Sequence, residues 1–401
     1  MKVAGLVAEY NPFHKGHFYH IEKTKELTGA DAVIAVMSGN FVQRGAPAVM
    51  PKRLRTVCAL RSGVSAVFEL PVYYATASAE YFALGAVSLL ERLGCVDVLC
   101  FGSECGDIRI LEEVADILET EPEAYKTSLR QGLKDGLSFP AARQRALKRY
   151  ETVLSAPNNI LGIEYLKALK RLNSSIKAYT VRREGAGYHD TAIGDTFCSA
   201  SAIRANIGHF PQILPQIPEN CHDLLLESKN RSFPIQSNDF SLLLKAKLLK
   251  ETKDSLTAYA DVSRELAARI VNCRNHFLNL EQFISLLKTK ELTYSRISRA
   301  LFHILLGITK QNMENCLASG YVCYARLLGF REEDTPFLKL IKDRAQIPVL
   351  TKLSKGAILE EPGKDMLEAD LYAADLYESV ATDRFHTAFT NEKQQKIIKL
   401  T

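Results

Sequence analysis

A turn near the start of the chain carries the residue types best suited to binding phosphates. An apolar run at residues 3–8 leads into this turn, which contains His14, Gly16 and His17. A helix that begins near Gly16 would point free amide groups at the turn, where they favour an anion. The glycine would also let a ligand approach the backbone closely. We therefore predict a nucleotide-phosphate site here; the alternative is a turn whose histidines serve only local hydrogen bonds.

A second phosphate site is predicted near residue 200. Ser199 and Ser201 are suited to capping a helix, and Arg204 would lie about one turn inside that helix. Hydroxyls, free amides and a guanidinium in this order can hold an anion. An ordinary capped helix is the alternative, but the position of the segment after the histidine turn favours binding.

Two segments between these sites supply further polar candidates. Asn158 and Asn159 lie where a loop becomes a helix, and either carboxamide could bond the backbone or a ligand. Arg182 and Arg183 end a short strand before a glycine-containing loop, so one of them could reach a nucleotide. We select Arg183 because it lies nearer the loop, and a surface ion pair is the alternative.

The elements that must position these residues alternate between short apolar runs and helical segments. The apolar runs lie at 3–8, 32–37, 66–69 and 98–101, with helix-compatible segments between them. Continuous apolar strands with helical crossovers predict an α/β fold with a doubly wound parallel sheet covered on both faces. Ligands of such sheets collect beyond the carboxyl ends of the strands. Gly102 follows the fourth run and could let a nucleotide lie against the backbone, although a plain turn glycine fits equally well.

Beyond about residue 225 the chain becomes mostly helical, so we divide it into a nucleotide-binding α/β part at 1–215 and a helical part at 225–401. Helices are predicted at 240–250, 256–272, 280–288, 294–308 and 311–316. Cations and aromatic residues interleave there, as RNA binding requires: Lys288, Lys290, Arg296, Arg299, Lys310, Arg326, Lys339, Lys342, Arg344, Lys352 and Lys355, with Tyr294, Phe302 and Tyr324. Solvated helix faces are the alternative for the cations, and an apolar core is the alternative for Phe302.

Composition sets the outer limits. The chain has 401 residues, of which 47% are hydrophobic and 24% charged, so it can bury a full core. Neither a signal-peptide pattern nor an apolar run of membrane-spanning length is recognisable, and we expect a cytoplasmic protein. Nine scattered cysteines without a Cys-x-x-Cys step disfavour a disulfide framework and a zinc site. The net charge of +5 permits RNA binding without requiring it.

The spacing His14-x-Gly16-His17 resembles the signature of the HIGH nucleotidyltransferase superfamily, whose members bind ATP on a doubly wound sheet. Longer motifs narrow the resemblance to the bacterial tRNA(Met) cytidine acetate ligase family, densely over about the first 210 residues and more thinly beyond. These motifs are Glu9-Tyr-Asn-Pro-Phe-His-Lys-Gly-His17, Met37-Ser-Gly-Asn-Phe-Val-Gln-Arg-Gly45, Glu69-Leu-Pro71, Ser78-Ala-Glu-Tyr-Phe-Ala83, Phe101-Gly-Ser-Glu104, Pro157-Asn-Asn-Ile-Leu-Gly162 and Ser199-Ala-Ser-Ala-Ile-Arg204.

The resemblance implies an enzyme that activates acetate with ATP and acetylates N4 of the wobble cytidine of elongator tRNA(Met), giving N4-acetylcytidine. The catalytic residues would then be His14, Lys15, His17 and Arg204. The nucleotide would contact Val7, His14, Gly16, His17, His20, Gly102, Asn158, Arg183, Ser199 and Ser201. Mg²⁺ is expected on the phosphates without an assigned ligand, and Asn40, Gln43 and Tyr81 are candidates around acetate.

Two other functions stay open on the sequence alone. One is an adenylyltransferase that acts on a phosphorylated small molecule in cofactor synthesis, for which the chain is longer than the reaction requires. The other is a non-catalytic RNA-binding protein, against which the intact histidine and serine-arginine segments argue. The oligomeric state is not indicated by any feature of the sequence.

Overall fold

The computed structural model describes residues 1–183 and 197–401, apart from the side chain of Pro140. The glycine-containing loop predicted after Arg183 lies outside the described residues. The strands are β1 Val3–Ala8, β2 Ala32–Ser38, β3 Phe41–Val42, β4 Ala46–Pro47, β5 Ala66–Leu70, β6 Val98–Ser103, β7 Lys177–Arg182, β8 Ala325–Arg331, β9 Val349–Leu350 and β10 Ile398–Leu400.

The first helices, α1 to α9, mostly surround these strands. They are α1 Lys15–Thr28, α2 Lys52–Arg61, α3 Val72–Ala75, α4 Ala79–Arg92, α5 Ile108–Thr120, α6 Glu123–Lys134, α7 Phe139–Ala146, α8 Glu151–Leu154 and α9 Pro157–Arg171.

The later helices follow the segment that is not described. They are α10 Ala200–Ala205, α11 Phe210–Ile213, α12 His222–Ser228, α13 Ser241–Lys250, α14 Lys253–Leu256, α15 Arg264–Cys273, α16 Leu280–Leu287, α17 Tyr294–Leu306, α18 Lys310–Ala318, α19 Thr335–Arg344 and α20 Gly363–Phe385. Short 3₁₀ turns lie at Lys148–Tyr150, Leu214–Gln216, Glu219–Cys221, Ser237–Phe240, Arg274–His276, Glu332–Asp334, Leu353–Ile358 and Glu392–Gln394.

The central sheet has the strand order β10-β8-β5-β2-β1-β6-β7, with β9 on β8. All pairs from β5 to β7 are parallel, and the chain reverses its direction of travel across the sheet between β1 and β6. The structure therefore confirms the α/β fold with a doubly wound parallel sheet. A crevice at the carboxyl ends of β1 and β6 is the place where such a sheet binds its ligand.

Both faces of the sheet are buried because its strands are apolar at nearly every position. In β2, Ile34 and Val36 pack on one face, together with Phe82 of α4. Val33 and Ala35 face the other way and pack with Ile21 of α1. This arrangement accounts for the unbroken apolar runs, since an alternating pattern would leave one face polar.

Most of the helices predicted beyond residue 225 are present, but this part of the chain also contributes strands to the sheet. Strand β8 pairs antiparallel with β5, and β10 and β9 pair with β8. The predicted helix at 256–272 begins only at Arg264, as α15, because a turn with Asp261 in a left-handed conformation separates α15 from α14, which ends at Leu256. The division at 1–215 and 225–401 stays a prediction, and the sheet itself draws strands from both parts.

None of the helices that the structure describes is long and apolar enough to cross a membrane.

Candidate functional site

A cavity of about 1140 Å³ opens at the carboxyl ends of β1, β6 and β7. One wall contains the histidine turn and the serine-arginine segment, and the opposite wall contains residues of α16 and α17. Of the predicted nucleotide contacts, all ten lie along this cavity: Val7, His14, Gly16, His17, His20, Gly102, Asn158, Arg183, Ser199 and Ser201. The crevice predicted from the strand ends is therefore present, and the residues chosen for it are brought together. Their roles remain predictions.

The histidine turn is built as the N-terminus of α1. His14 is the capping residue, and its Nδ1 accepts a hydrogen bond from the backbone amide of Gly16 at 3.1 Å. The Nδ1 of His17 accepts one from the backbone amide of His14 at 3.2 Å. A neutral imidazole that accepts through Nδ1 carries its proton on Nε2. Both rings are therefore fixed as hydrogen-bond donors through Nε2.

The three histidines of this wall are held in the neutral form. Burial, together with Arg183 and Arg204, lowers the pKa of His14 to about 3. Burial also lowers the pKa of His17, helped by His14, and burial with Arg183 lowers the pKa of His20 to about 4. A phosphate entering this site would meet neutral donors, and the positive charge would come from the arginines.

The serine-arginine segment is joined directly to the histidine turn. The Oγ of Ser199 caps α10 by accepting a hydrogen bond from the amide of Ala202 at 3.0 Å. Arg204 donates from Nη1 to the carbonyl oxygen of Asn11 at 2.6 Å and from Nη2 to the Oγ of Ser201 at 3.1 Å. The predicted capping is present, and the guanidinium links the two predicted phosphate sites.

The structure distinguishes between the two asparagines, either of which could contact a ligand on the evidence of the sequence. Asn159 is buried, and its Oδ1 accepts hydrogen bonds from the amides of Glu104 and Cys105 at 2.9 and 3.1 Å. Asn158 lies along the cavity and donates from Nδ2 to Glu104 at 2.6 Å. Asn159 therefore fixes the loop after β6, while Asn158 is the one that faces the cavity.

Packing requires a small residue at Gly102, whether or not this residue also contacts a ligand. A Cβ atom at this position would lie 3.3 Å from the Cγ of Arg183, which is closer than such atoms usually come. The amide of Arg183 donates to the carbonyl of Ser103 at 2.9 Å. The glycine therefore lets the Arg183 side chain lie along the strand end beside the histidines.

Lys15 differs from the other predicted catalytic residues. It is the first residue of α1 and half-buried, but it is not among the described residues that line the cavity. Spacing alone placed it in the motif, and the helix turns its side chain elsewhere. Its catalytic role stays a prediction, and this geometry does not favour it.

Two of the three acetate candidates lie away from the cavity wall. Asn40 is buried and accepts a hydrogen bond from the amide of Lys52 at 2.8 Å, so it supports the start of α2. Tyr81 packs against the apolar core. Gln43 lies along the cavity, as do Glu9, Tyr10 and Asn11, which were not selected from the sequence. The signal for those three was their position directly after β1.

The helical wall retains part of the predicted RNA surface. Lys288, Tyr294 and Arg299 line the cavity, and Lys288, Lys290 and Arg296 are exposed. The ring of Tyr294 is also accessible, with 42% of the residue exposed. These residues stay candidates for binding RNA.

Three members of that surface were assigned wrongly. Phe302 and Tyr324 are fully buried, which agrees with the core alternative for Phe302. Arg326 is only 6% exposed and pairs through Nη1 with Glu69 at 2.8 Å and through Nη2 with Glu392. A guanidinium buried between two carboxylates cannot reach a nucleic acid.

A small hairpin connects the two walls of the cavity. Strands β3 and β4 form it, and its Gly45 has a φ of +69° and lies against the backbone of Ser298 and Arg299. The Oγ of Ser298 donates to the Gly45 carbonyl at 2.5 Å. The hairpin therefore holds α17 at the edge of the cavity.

Comparisons with known proteins agree with this geometry. The family model for HIGH Nucleotidyl Transferase matches residues 1–394. A tRNA(Met) cytidine acetate ligase of Acetivibrio thermocellus is 42% identical over 393 residues, which cover 94% of each chain. The enzyme of the same name from Clostridium perfringens is 40% identical, with 94% of this chain and 95% of the relative covered.

Solved structures of a Thermotoga maritima protein, TmcAL, have the same fold. The apo form has a TM-score of 0.92 at 33% identity, and the form bound with alpha-thio ATP has a TM-score of 0.89. Each comparison covers 100% of both chains. The histidine turn, the sheet topology and these relatives together show that the chain belongs to the tRNA(Met) cytidine acetate ligase family of HIGH nucleotidyl transferases.

Proposed function

We propose that this protein activates acetate with ATP to form acetyl adenylate, and transfers the acetyl group to N4 of the wobble cytidine of elongator tRNA(Met). The product would be N4-acetylcytidine, with AMP and pyrophosphate released. The observation that carries the proposal is a cavity in which the predicted phosphate site faces a basic helical wall with an accessible tyrosine. A tRNA substrate would place the reaction in the cytoplasm.

In the first step, an acetate oxygen attacks the α-phosphorus of ATP and pyrophosphate leaves. Negative charge grows on the phosphate oxygens, so donors fixed in advance lower the barrier. The Nε2–H groups of His14 and His17 are such donors, since backbone amides already occupy their Nδ1 atoms. Arg204 and Arg183 supply the positive charge.

Mg²⁺ is the expected companion of ATP in this step. Within residues 1–183 and 197–401 there is no group of three or more histidine, cysteine or acidic side chains arranged to hold a metal. Mg²⁺ would then be carried mainly by the phosphates, as it is in many nucleotide enzymes. When bound, it would neutralise charge on the triphosphate.

In the second step, the cytidine must leave its stack to reach the acetyl adenylate. Lys288, Lys290 and Arg296 would neutralise tRNA phosphates at the mouth of the cavity, and Tyr294 would offer a face for stacking. The alternative, adenylylation of a phosphorylated small molecule, would not require this basic helical wall.

Acetate-dependent exchange of labelled pyrophosphate into ATP tests the first step. The proposal predicts exchange with acetate present and none without it, in the absence of tRNA. Exchange that requires a phosphorylated small molecule instead of acetate would support the adenylyltransferase.

The tRNA surface is tested by a double substitution, Arg296→Ala with Arg299→Ala. We expect weaker binding of tRNA. The slope of the logarithm of the binding constant against the logarithm of the salt concentration should decrease by roughly one unit for each phosphate that the protein no longer neutralises. Acetate-dependent exchange should stay near the wild-type rate. The matched control is Arg130→Ala with Lys134→Ala, two exposed cations on α6. Unchanged tRNA affinity in the α17 variant would place the RNA surface elsewhere.

A further inference from the structure

Two carboxylates lie on a cavity wall that is otherwise basic. Among the described lining residues, the acidic ones are Glu9 and Glu281. The cations along the same wall are Arg44, Arg182, Arg183, Arg204, Lys288 and Arg299. If the proposed function holds, ATP, acetate and tRNA are all anions, so a carboxylate here opposes binding unless it performs another task.

Glu281 has a structural explanation. It lies in the first turn of α16, where a negative charge favours the helix. Its Oε2 accepts a hydrogen bond from the Nδ2 of Asn238, and its own amide donates to the Oδ1 of Asn238, both at 3.1 Å. The reciprocal pair ties α16 to the segment before α13, and no further role is needed.

Glu9 is placed differently. It follows the carboxyl end of β1 directly and is half-buried, and its Oε1 accepts a hydrogen bond from the amide of Gln43 at 3.0 Å. Within the described part of the chain, its Oε2 has no hydrogen-bond partner. Gln43 belongs to the hairpin that Gly45 docks on α17, so Glu9 lies where the nucleotide wall and the helical wall meet.

The neighbouring histidines are poorly placed to accept a proton. The Nδ1 atoms of His14 and His17 already accept backbone hydrogen bonds, and their Nε2 atoms carry hydrogen. His20 lies one helical turn farther from the end of β1. Among the described side chains that line the cavity, the Glu9 carboxylate is therefore the one best placed to accept a proton.

We propose, on the basis of the proposed function, that Glu9 is the general base of acetyl transfer. The N4 amine of cytidine attacks the acetyl carbonyl, and a carbon–nitrogen bond forms. The bond between the acetyl carbon and the phosphate oxygen breaks, and AMP leaves with the electron pair. The proton lost from N4 passes to the Glu9 carboxylate and then to solvent.

The two steps can be measured separately in one variant. Glu9→Gln keeps an oxygen that can accept from the Gln43 amide but loses the basic carboxylate. Its acetate-dependent pyrophosphate exchange should stay within about threefold of wild type, whereas single-turnover transfer from preformed acetyl adenylate to tRNA(Met) should fall roughly a hundredfold to ten-thousandfold. Glu112→Gln, on the exposed side of α5, is the control and should change neither rate.

Glu9→Asp keeps the carboxylate but withdraws it by one methylene, so part of the transfer rate should remain. If Glu9→Gln does not fold, the transfer rate of Glu9→Asp tests the role of the Glu9 carboxylate instead. Equal losses of exchange and transfer would overturn the proposal in favour of a nucleotide or Mg²⁺ contact. Unchanged transfer in Glu9→Gln would mean that the departing phosphate takes the proton. If wild-type protein shows neither exchange nor transfer, it is the proposed function that fails.

Discussion

At the scale of single residues, two imidazoles fixed as hydrogen-bond donors form the centre of the proposed nucleotide site. Backbone amides fill the Nδ1 positions of His14 and His17, and burial keeps the rings neutral. The N-terminus of α1 thus presents hydrogen-bond donors whose orientation is fixed before a ligand arrives. Preorganised donors of this kind are the usual source of stabilisation for charge that grows on a phosphate.

His17→Ala should reduce acetate-dependent pyrophosphate exchange by about a hundredfold to a thousandfold, because one fixed donor to the phosphates is removed. The capping bond to His14 is also removed, so a loss of about 1 kcal/mol in the free energy of unfolding is expected. The affinity for tRNA should hardly change. His276→Ala, at an exposed histidine of the helical part, is the control. Exchange at the wild-type rate in His17→Ala would refute the site.

The residues of the motif could be predicted because their geometry is local. A strand, a turn and a helix start within the first 20 residues and fix where His14, Gly16 and His17 lie relative to one another. Lys15 shows the limit of this approach, since one position within a helix changes the direction of a side chain by about 100°. Glu9 was missed as a separate candidate because only the hairpin contact distinguishes it.

At the scale of elements, the hairpin β3–β4 joins the proposed nucleotide site to the helical wall. A glycine is required at position 45 for two reasons. Its backbone is left-handed, and an added Cβ would collide with the backbone nitrogen of Arg299. Backbone atoms cannot rotate away as a flexible side chain could. The hairpin and α17 must therefore separate if the glycine is replaced.

Gly45→Ala should lower the free energy of unfolding by about 2 to 5 kcal/mol, combining left-handed strain with overpacking. The matched control is Gly307→Ala at the end of α17, which has a φ of +73° and nothing within 4 Å of the added Cβ. Only the strain applies there, so a loss of about 1 to 2 kcal/mol is expected. Equal losses in chemical denaturation would show that the hairpin does not pack as described.

The parallel strands were predictable from their apolar runs, but the strands from the helical part were not. β8 is buried along almost its whole length and contains Arg326. From the sequence alone, the charge of Arg326 suggested that its side chain is exposed. The two carboxylates that pair with it, Glu69 and Glu392, are distant in sequence and could not be recognised as its partners. Local patterns cannot reveal pairing of this range.

At the scale of the whole molecule, a buried cluster of charges joins the end of the chain to the sheet. Lys52 pairs with Glu69 and with Glu392, each at 2.7 Å, and Arg326 contacts the same two carboxylates. Asp370 of α20 lies beside this cluster and accepts a hydrogen bond from the amide of Val72 at 2.6 Å. Two cations thus face three buried carboxyl groups.

This excess of acid predicts a specific dependence of stability on pH. Burial and the nearby Glu69 raise the pKa of Asp370 from 3.8 to about 7. The folded state therefore holds a proton that the unfolded state releases, and the contribution of Asp370 to stability is present below about pH 4 and lost as the pH rises to about 7. An asparagine at this position would mimic the protonated acid at every pH.

Asp370→Asn should therefore gain stability relative to wild type as the pH is raised from about 5 to about 8. Thermal or urea unfolding at several pH values measures this difference. Asp343→Asn, at an exposed position of α19, should run parallel to wild type. A difference that is constant with pH, or that favours wild type at high pH, would contradict the raised pKa.

One cavity is proposed to perform both the activation of acetate and the acetylation of tRNA. The most direct measurement is incubation of the protein with ATP, Mg²⁺, isotopically labelled acetate and unmodified elongator tRNA(Met), followed by digestion of the RNA and mass spectrometry of the nucleosides. We predict labelled N4-acetylcytidine that depends on ATP and accumulates far more slowly in the His17→Ala reaction. Acetate-dependent exchange without label in the tRNA, or label that appears without ATP, would contradict a shared cavity for the two steps.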